Sequence, residues 1–357
     1  MDAGQLLGGQ AVLEGVMMRS SRSLAVAVRR ADGSLSVRES PWRRLAPGKR
    51  FLRWPLLRGG VVLVESLMNG MSALNFSARL ALEDEEAKRP TQKIGAGAPS
   101  AAPAEAKVRS DLAAHLTVVL GIAFGVGLFI ALPHLAVWLG SSALGRELSV
   151  RDFAFHAVTG AVKFLVFVGY IAAISLFSDV RKVFAYHGAE HQSIHALEAG
   201  QPLTVESART HSPLHPRCGT TFLILVIAMS ILVFSLVFPP LLWWLGEPTG
   251  IGWLDQIIYI LIKLPLLLPI AGLAYELQRF TARRMGRAWA RALAWPGLFL
   301  QRLTTRRAAD DQLETALAAL HKCLWRERRP AEEEIRAEAV ERHRSYQDFL
   351  EALTKGA

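Results

Sequence analysis

The densest run of chemistry-bearing residues is Tyr186-His187-Gly188-Ala189-Glu190-His191-Gln192-Ser193-Ile194-His195. On a helix, His187, His191 and His195 stand four apart and share one face. Two imidazoles at that spacing reach one metal ion, and Glu190 beside them is placed to take a proton from water at the site. The segment from His187 to His191 reads His-x-x-Glu-His, the inverted form of a zinc-protease motif. Further ligands return downstream as His211 and then His215-Pro216-Arg217-Cys218-Gly219. Imidazole and thiolate both suit zinc or another divalent metal, so His187, His191, His215 and Cys218 form the expected ligand set. Pro216 and Gly219 predict a rigid turn, and Arg217 is suited to hold a carboxylate or phosphate group. The competing reading is structural: a closed four-ligand site, or histidines that cap the helix or pair with Glu190 or Glu198.

These residues need elements to position them, and the apolar composition indicates which. The chain has 357 residues, is 51% apolar, and carries a formal charge of +10. Apolar residues concentrate in four runs near the length that spans a bilayer: 112–139, 158–177, 222–244 and 257–273, the last holding Pro265 and Pro269. Lys88, Arg89, Lys93, Lys107 and Arg109 precede the first run. Arg181, Lys182, Arg209 and Arg217 lie between the second and third, and Arg279, Arg283, Arg284, Arg287 and Arg291 follow the fourth. The two opposite loops are poor in Lys and Arg, so both termini and the His-rich loop are expected on the cytoplasmic side of a bacterial inner membrane. The positive charge is then juxtamembrane anchoring against anionic lipid, and it gives no reason to invoke nucleic acid. No secretory signal opens the chain, so insertion is expected through the internal runs. The two cysteines, Cys218 and Cys323, have no paired spacing, which favours a reduced compartment over a disulfide.

The fold class expected is an α-helical membrane protein of about four transmembrane helices with a small cytoplasmic α+β portion. Residues 1–82 read as cytoplasmic strands plus an interfacial helix, with strands over 10–19 and 23–30 and a hairpin turn at Ala31-Asp32-Gly33. The helix over 60–82 places Leu63, Leu67, Met71 and Leu74 on one stripe. Residues 83–108, rich in Ala, Pro, Glu and Lys, read as a linker. Residues 109–280 form the transmembrane region with the His-rich loop at 179–220, the second span running directly into the His-bearing helix. Residues 281–357 form cytoplasmic helices, with patterns over 310–324 and 331–353. Lys163 and Lys263 fall at similar depth inside their runs; two unpaired cations there invite an anion, but snorkelling to the outer interface is the favoured expectation.

Three strings are similar to one family: Gly8-Gly9-Gln10-Ala11-Val12-Leu13-Glu14-Gly15-Val16-Met17-Met18-Arg19, Tyr186-His187-Gly188-Ala189-Glu190-His191, and His215-Pro216-Arg217-Cys218-Gly219-Thr220. With Pro296-Gly297-Leu298 and residues 301–305, they resemble the YqhQ-like family of bacterial membrane proteins over most of residues 8–320. The resemblance implies a multi-pass membrane protein described as a metal-dependent enzyme, with no substrate or reaction attached. It directs attention to Glu14, Arg19, His187, Glu190, His191, His215, Arg217 and Cys218. The chain departs from the family pattern at Arg307-Ala308-Ala309 and in the charged tail after His321.

The function these readings favour is metal-dependent hydrolysis of a lipid-linked or peptide substrate at the cytoplasmic membrane face. His187 and His191 bind the metal with Cys218 or His215, Glu190 acts as general base, and Arg217 clamps an anionic group. Membrane lipids are expected neighbours, and a homo-oligomer stays open. The alternative is a non-enzymatic membrane scaffold in which the same residues form a structural His/Cys site. Glu14 and Arg19 either reach the metal loop from the sheet or pair with each other.

Overall fold

Residues 24–28 read Leu-Ala-Val-Ala-Val, an apolar run without a polar face, and only a strand covered on both sides can bury it. It belongs to an antiparallel sheet of β1 (Gly8–Val12), β2 (Gly15–Arg19), β3 (Ser23–Arg29), β4 (Leu35–Pro41) and β5 (Val340–His343), in that spatial order. The helices are α1 (Leu57–Lys88), α2 (Val119–Ala143), α3 (Phe153–Ile174), α4 (Ser178–Glu198), α5 (Val205–Thr210) and α6 (Gly219–Leu236). They continue with α7 (Phe238–Leu245), α8 (Gly252–Ala282), α9 (Ala288–Thr304), α10 (Asp310–Glu327) and α11 (Tyr346–Lys355). This is a computed structural model, and the residues it describes are 8–20, 22–45, 57–88, 119–145, 152–246, 249–329 and 340–355, with Leu52, Trp54, Leu116 and Leu148.

The chain forms two units, one of Met1–Lys88, Ile171–Leu225 and Ala271–Ala357, the other of Arg89–Tyr170 and Val226–Ile270. In the first, the alternation of β3 sends Leu24, Val26 and Val28 to one side, where they pack with Val12 and Met17 on Ala73, Phe76 and Leu80 of α1. Ala25 and Ala27 face the other way, with Val16, Met18, Leu35 and Val37, onto Leu313, Leu317 and Leu320 of α10 and Tyr186 and Ala189 of α4. The small alanines let α10 lie close to the sheet, while the larger residues fill the α1 side. In the second unit, Val137, Phe155, Phe234, Phe238, Leu242, Tyr259 and Ile270 make a separate apolar core.

Four helices are long and apolar enough to cross a membrane: Val119–Ala143, Phe153–Ile174, Gly219–Trp244 and Gly252–Ala282. They match the four apolar runs, with the shorter two extended to 22 and 31 residues. The start of the first run, before residue 116, lies outside the described residues. The second span does not run straight into the His-bearing helix. It stops at Ile174, and α4 restarts at Ser178 with Phe177 extended (ψ 136°). The expected 10–19 strand folds on itself as the β1–β2 hairpin, with Val12 paired to Gly15 and Glu14 held at a φ of 50°. The hairpin at Ala31-Asp32-Gly33 forms as the turn residues predict: Gly33 takes a φ of 83° and Asp32 accepts from the Ser34 N–H at 3.0 Å.

Helix α1 continues to Lys88, so residues 83–88 of the expected linker are helical, and 89–108 lie outside the described residues. The stripe of Leu63, Leu67, Met71 and Leu74 is the exposed side of α1, because Phe76 and Leu80 take the sheet. Helix α9 is absent from the sequence patterns because Pro296 and Gly297 sit in its middle. The expected 331–353 helix holds a strand instead: Val340–His343 pairs with β4, Leu35 opposite His343, before α11 begins. Its charged residues disguise an edge strand whose cross-strand partner is more than three hundred residues away.

Helix α10 is bolted to the sheet by an ion pair in which Arg326 Nε and Nη2 donate to Glu39 at 2.5 and 2.8 Å, both side chains below 10% exposure. Breaking one partner of a buried pair leaves an uncompensated charge, so Arg326→Met is expected to lower stability by roughly 3–5 kcal/mol. Thermal unfolding of the purified protein checks this, and the double variant Glu39→Gln/Arg326→Met is expected to recover part of the loss.

Candidate metal centre

Helix α4 turns the four-residue spacing of its histidines into a shared face, with the His187 and His191 rings 4.5 Å apart. The turn at Pro216 and Arg217 then delivers Cys218 to them. His187 Nε2 lies 3.2 Å from Cys218 Sγ, and the donor atoms of His187, His191 and Cys218 all fall within 4.8 Å of one another. The sequence could not choose between Cys218 and His215 as third ligand; the geometry groups Cys218 with the two histidines.

Backbone carbonyls set which ring nitrogens face the centre. His187 Nδ1 donates to the Thr304 carbonyl at 2.9 Å, and His191 Nδ1 donates to the Pro213 carbonyl at 2.5 Å. Each ring therefore keeps its proton on Nδ1 and presents a bare Nε2, the arrangement that orients metal-ligating histidines. Burial pushes the His191 pKa below its ordinary value, against the neighbouring Cys218, which raises it. For Cys218, burial opposes ionisation, but the adjoining His191 ring and the Thr220 N–H outweigh it and hold the thiol below its ordinary pKa.

His215 stands in a neighbouring group with His195 and Glu198. Its Nδ1 accepts from the Arg217 N–H at 3.2 Å, so Nε2 carries the proton and donates to Glu198 at 3.3 Å. Burial pushes its pKa down to about 4, which makes the contact with Glu198 a hydrogen bond of a neutral ring. His195 donates from Nε2 to the Leu214 carbonyl at 2.9 Å, and His211 pairs with Gln201 at the surface. Arg217 forms an ion pair with Glu198.

Glu190 projects from α4 toward β1, where the Gly9 N–H donates to it. A side chain on Gly9 would stand 2.8 Å from the Glu190 carboxyl carbon and 2.7 Å from the Met17 carbonyl, so glycine is what admits the carboxylate there. Burial raises the Glu190 pKa to about 7, against the charge of His187 and the Gly9 hydrogen bond, which lower it. His187, Glu190, His215, Arg217 and Cys218 all line one cleft of about 570 Å³, with Gly9, Arg19 and Tyr275 on its other walls. Glu14 and Arg19 do not pair with each other. Glu14 accepts from Lys182 at 3.3 Å and meets the Tyr186 hydroxyl at 3.5 Å, whereas the Arg19 guanidinium lies over the Trp42 ring.

Several positioning groups escape a residue-type search. Gln301, fully buried, clamps the ligand turn by donating to the His215 carbonyl and Thr221 hydroxyl and accepting from the His215 N–H, each at 2.8 Å. Gln278 donates to the Cys218 carbonyl at 2.9 Å. The carbonyls of Thr304 and Pro213 carry no side-chain signal at all. Gln301 had one, as a polar residue on the apolar face of an amphipathic helix.

Gly188 has a packing role that its place between two histidines hides. A Cβ there would stand 1.8 Å from the Arg306 carbonyl, whereas one on Gly219, beside Cys218, would meet nothing within 4 Å. Gly188→Ala is therefore expected to cost about 3 kcal/mol or more by forcing α4 off the strand-like segment after α9. Gly219→Ala is expected to fold normally. Thermal midpoints and steady-state abundance of the two variants check the contrast.

A model of a family described as proteins of unknown function (DUF1385) matches residues 54–326. The chain is also 31% identical over 322 residues to a protein of Bacillus subtilis (strain 168) described as uncharacterized protein YqhQ, an alignment covering 89% of this chain and 92% of that one. No solved structure matches the chain. The residues from His187 to Cys218 all lie inside the matched region, and the chain belongs to the DUF1385 family.

Proposed function

We propose that this protein is a metal-dependent hydrolase of the bacterial inner membrane, acting at the cytoplasmic face on a lipid-linked or peptide substrate. The observation that carries the reading is that His187 and Cys218, grouped with His191 as three possible ligands, line a cleft that Glu190 also lines. Three protein ligands with an open position are the pattern of catalytic zinc sites, whereas structural sites close with four. A divalent ion held there supplies Lewis-acid polarisation and lowers the pKa of water at the site. Glu190, fixed by the Gly9 N–H, takes the proton from that water as general base. Arg217, on the cleft wall, offers a guanidinium for an anionic substrate group once its pairing with Glu198 is exchanged.

Membrane location rests on the four apolar helices and on the basic residues flanking them. The exposed stripe of Leu63, Leu67, Met71 and Leu74 on α1 fits a helix lying at the lipid boundary. Such a position would bring lipid-borne substrates within reach of a cleft to which Val62, Leu63 and Ser66 contribute. The scaffold alternative draws on the second group, where Glu198 accepts from His215 and forms an ion pair with Arg217.

The two readings part at Glu190. In cells making the Glu190→Gln variant at normal abundance, untargeted profiling of membrane lipids and peptides is expected to show a species that accumulates and that the wild type consumes. Removing a general base slows the step by about 10²–10⁴-fold, enough to trap the substrate. Identical profiles for the two proteins, with Cys218→Ser lowering only abundance, would leave the scaffold reading in place.

A further inference from the structure

The unit that contains most of the apolar helices encloses a second polar centre, unrelated to the His-rich turn. A cavity of about 20 Å³ is lined by residues from all four long apolar helices: His134 of α2, His156, Thr159 and Lys163 of α3, Ser230 and Phe234 of α6, and Lys263 of α8. Lys263 is only 6% exposed, so it does not snorkel out of the bundle as its position in the sequence leads one to expect. Its Nζ and that of Lys163 each lie 5.7 Å from the centroid of the Phe234 ring, which places both ammonium groups around one aromatic side chain.

The hydrogen bonds around the cavity leave donors in excess. His134 Nε2 lies 2.6 Å from Gln256 Oε1, an acceptor, so Nε2 carries the ring proton and Nδ1 accepts from Lys263 Nζ at 3.1 Å. That uses one of three Lys263 donors. Thr159 and Ser230 spend their hydroxyl protons on the Phe155 carbonyl at 2.7 Å and the Ile227 carbonyl at 2.8 Å, which leaves their oxygens as neutral acceptors in the cavity. Among the described residues, no carboxylate lines the cavity. The nearest acid in sequence, Asp255, is occupied by the Thr249 N–H and hydroxyl at 3.0 and 2.5 Å. The rings of Phe155, Phe234 and Phe238 soften the cost of the Lys263 charge, with Nζ 4.9 Å from the Phe238 centroid, but a ring face accepts no N–H as strongly as an anion does.

Two ammonium groups, acceptors that are all neutral among the described residues, and a volume for about one water-sized species define what fits. We propose that Lys163 and Lys263, with His134 orienting Lys263, bind a small inorganic anion of chloride size inside the helix bundle. Charged side chains within apolar helices are costly unless paired, and one bound anion pairs both lysines at once. Sulfate and organic anions exceed the cavity, so the site selects by size as well as by charge.

The test is thermal unfolding of the full-length, detergent-purified protein in sodium chloride, sodium bromide and sodium gluconate at equal ionic strength. Chloride and bromide are expected to raise the midpoint over gluconate by about 5 °C at a hundredfold excess over Kd, as mass action on the folded state requires. Lys263→Met and Lys163→Met, which keep the side-chain length and remove the charge, are each expected to abolish the difference between halide and gluconate. Equal midpoints in the three salts for the wild type would overturn the proposal, and so would a halide effect that persists in both variants, which would be a general salt effect. If neither variant accumulates, equilibrium dialysis of the wild type against radiolabelled chloride decides: near-stoichiometric uptake that gluconate does not displace supports the site, and none refutes it.

Discussion

The structure around the His-rich segment depends on one constraint: the three imidazoles carried by α4 place their ring protons on backbone carbonyls. His187 uses Thr304, His191 uses Pro213 and His195 uses Leu214, so one helix face is tied to the end of α9 and to the turn before α6. A buried polar ring without such a partner would be expensive, and with it the ring is fixed in tautomer and direction. The consequence is chemical as well as structural. Two bare Nε2 atoms are left on the side where Cys218 arrives, and the turn that brings Cys218 is itself locked by Gln301. Preorganisation of this kind comes from packing distant segments together, and Gly188 and Gly9 are the places where their backbones are allowed to touch.

The parts of this arrangement that are local were legible in the sequence. The four-residue spacing gives the helical face of His187 and His191, the Pro-Gly turn gives the bend at Cys218, and the Ala31-Asp32-Gly33 hairpin and four apolar runs follow from composition and period. What the sequence could not reveal is long-range. Whether Cys218 or His215 joins the two histidines depends on the turn at Pro216 and Arg217, which aims His215 at His195 and Glu198 instead. The β5 strand is polar and pairs across nearly the whole chain, and α9 carries a proline and a glycine that read as a break. Lys263 looked like a snorkelling residue because its burial depends on three other helices.

The two units each hold a polar centre, and their chemistry is opposite. The His/Cys group gathers lone pairs, with a carboxylate nearby, and is complementary to a cation. The lysine cavity gathers N–H donors, with no carboxylate among the described residues lining it, and is complementary to an anion. Neither collection is needed to form a hydrophobic core, which the packing of aliphatic and aromatic residues already supplies in both units. Buried polar groups of this cost are the features in which a function is most readily sought.

The central claim is that His187, His191 and Cys218 form an open, three-ligand metal site. X-ray absorption spectroscopy of the purified protein loaded with zinc addresses it without any knowledge of the substrate. The account predicts one sulfur scatterer at about 2.3 Å and two imidazole nitrogens at about 2.0–2.1 Å, with a light oxygen scatterer completing the shell. Failure to retain zinc, or a shell with no sulfur, would contradict it.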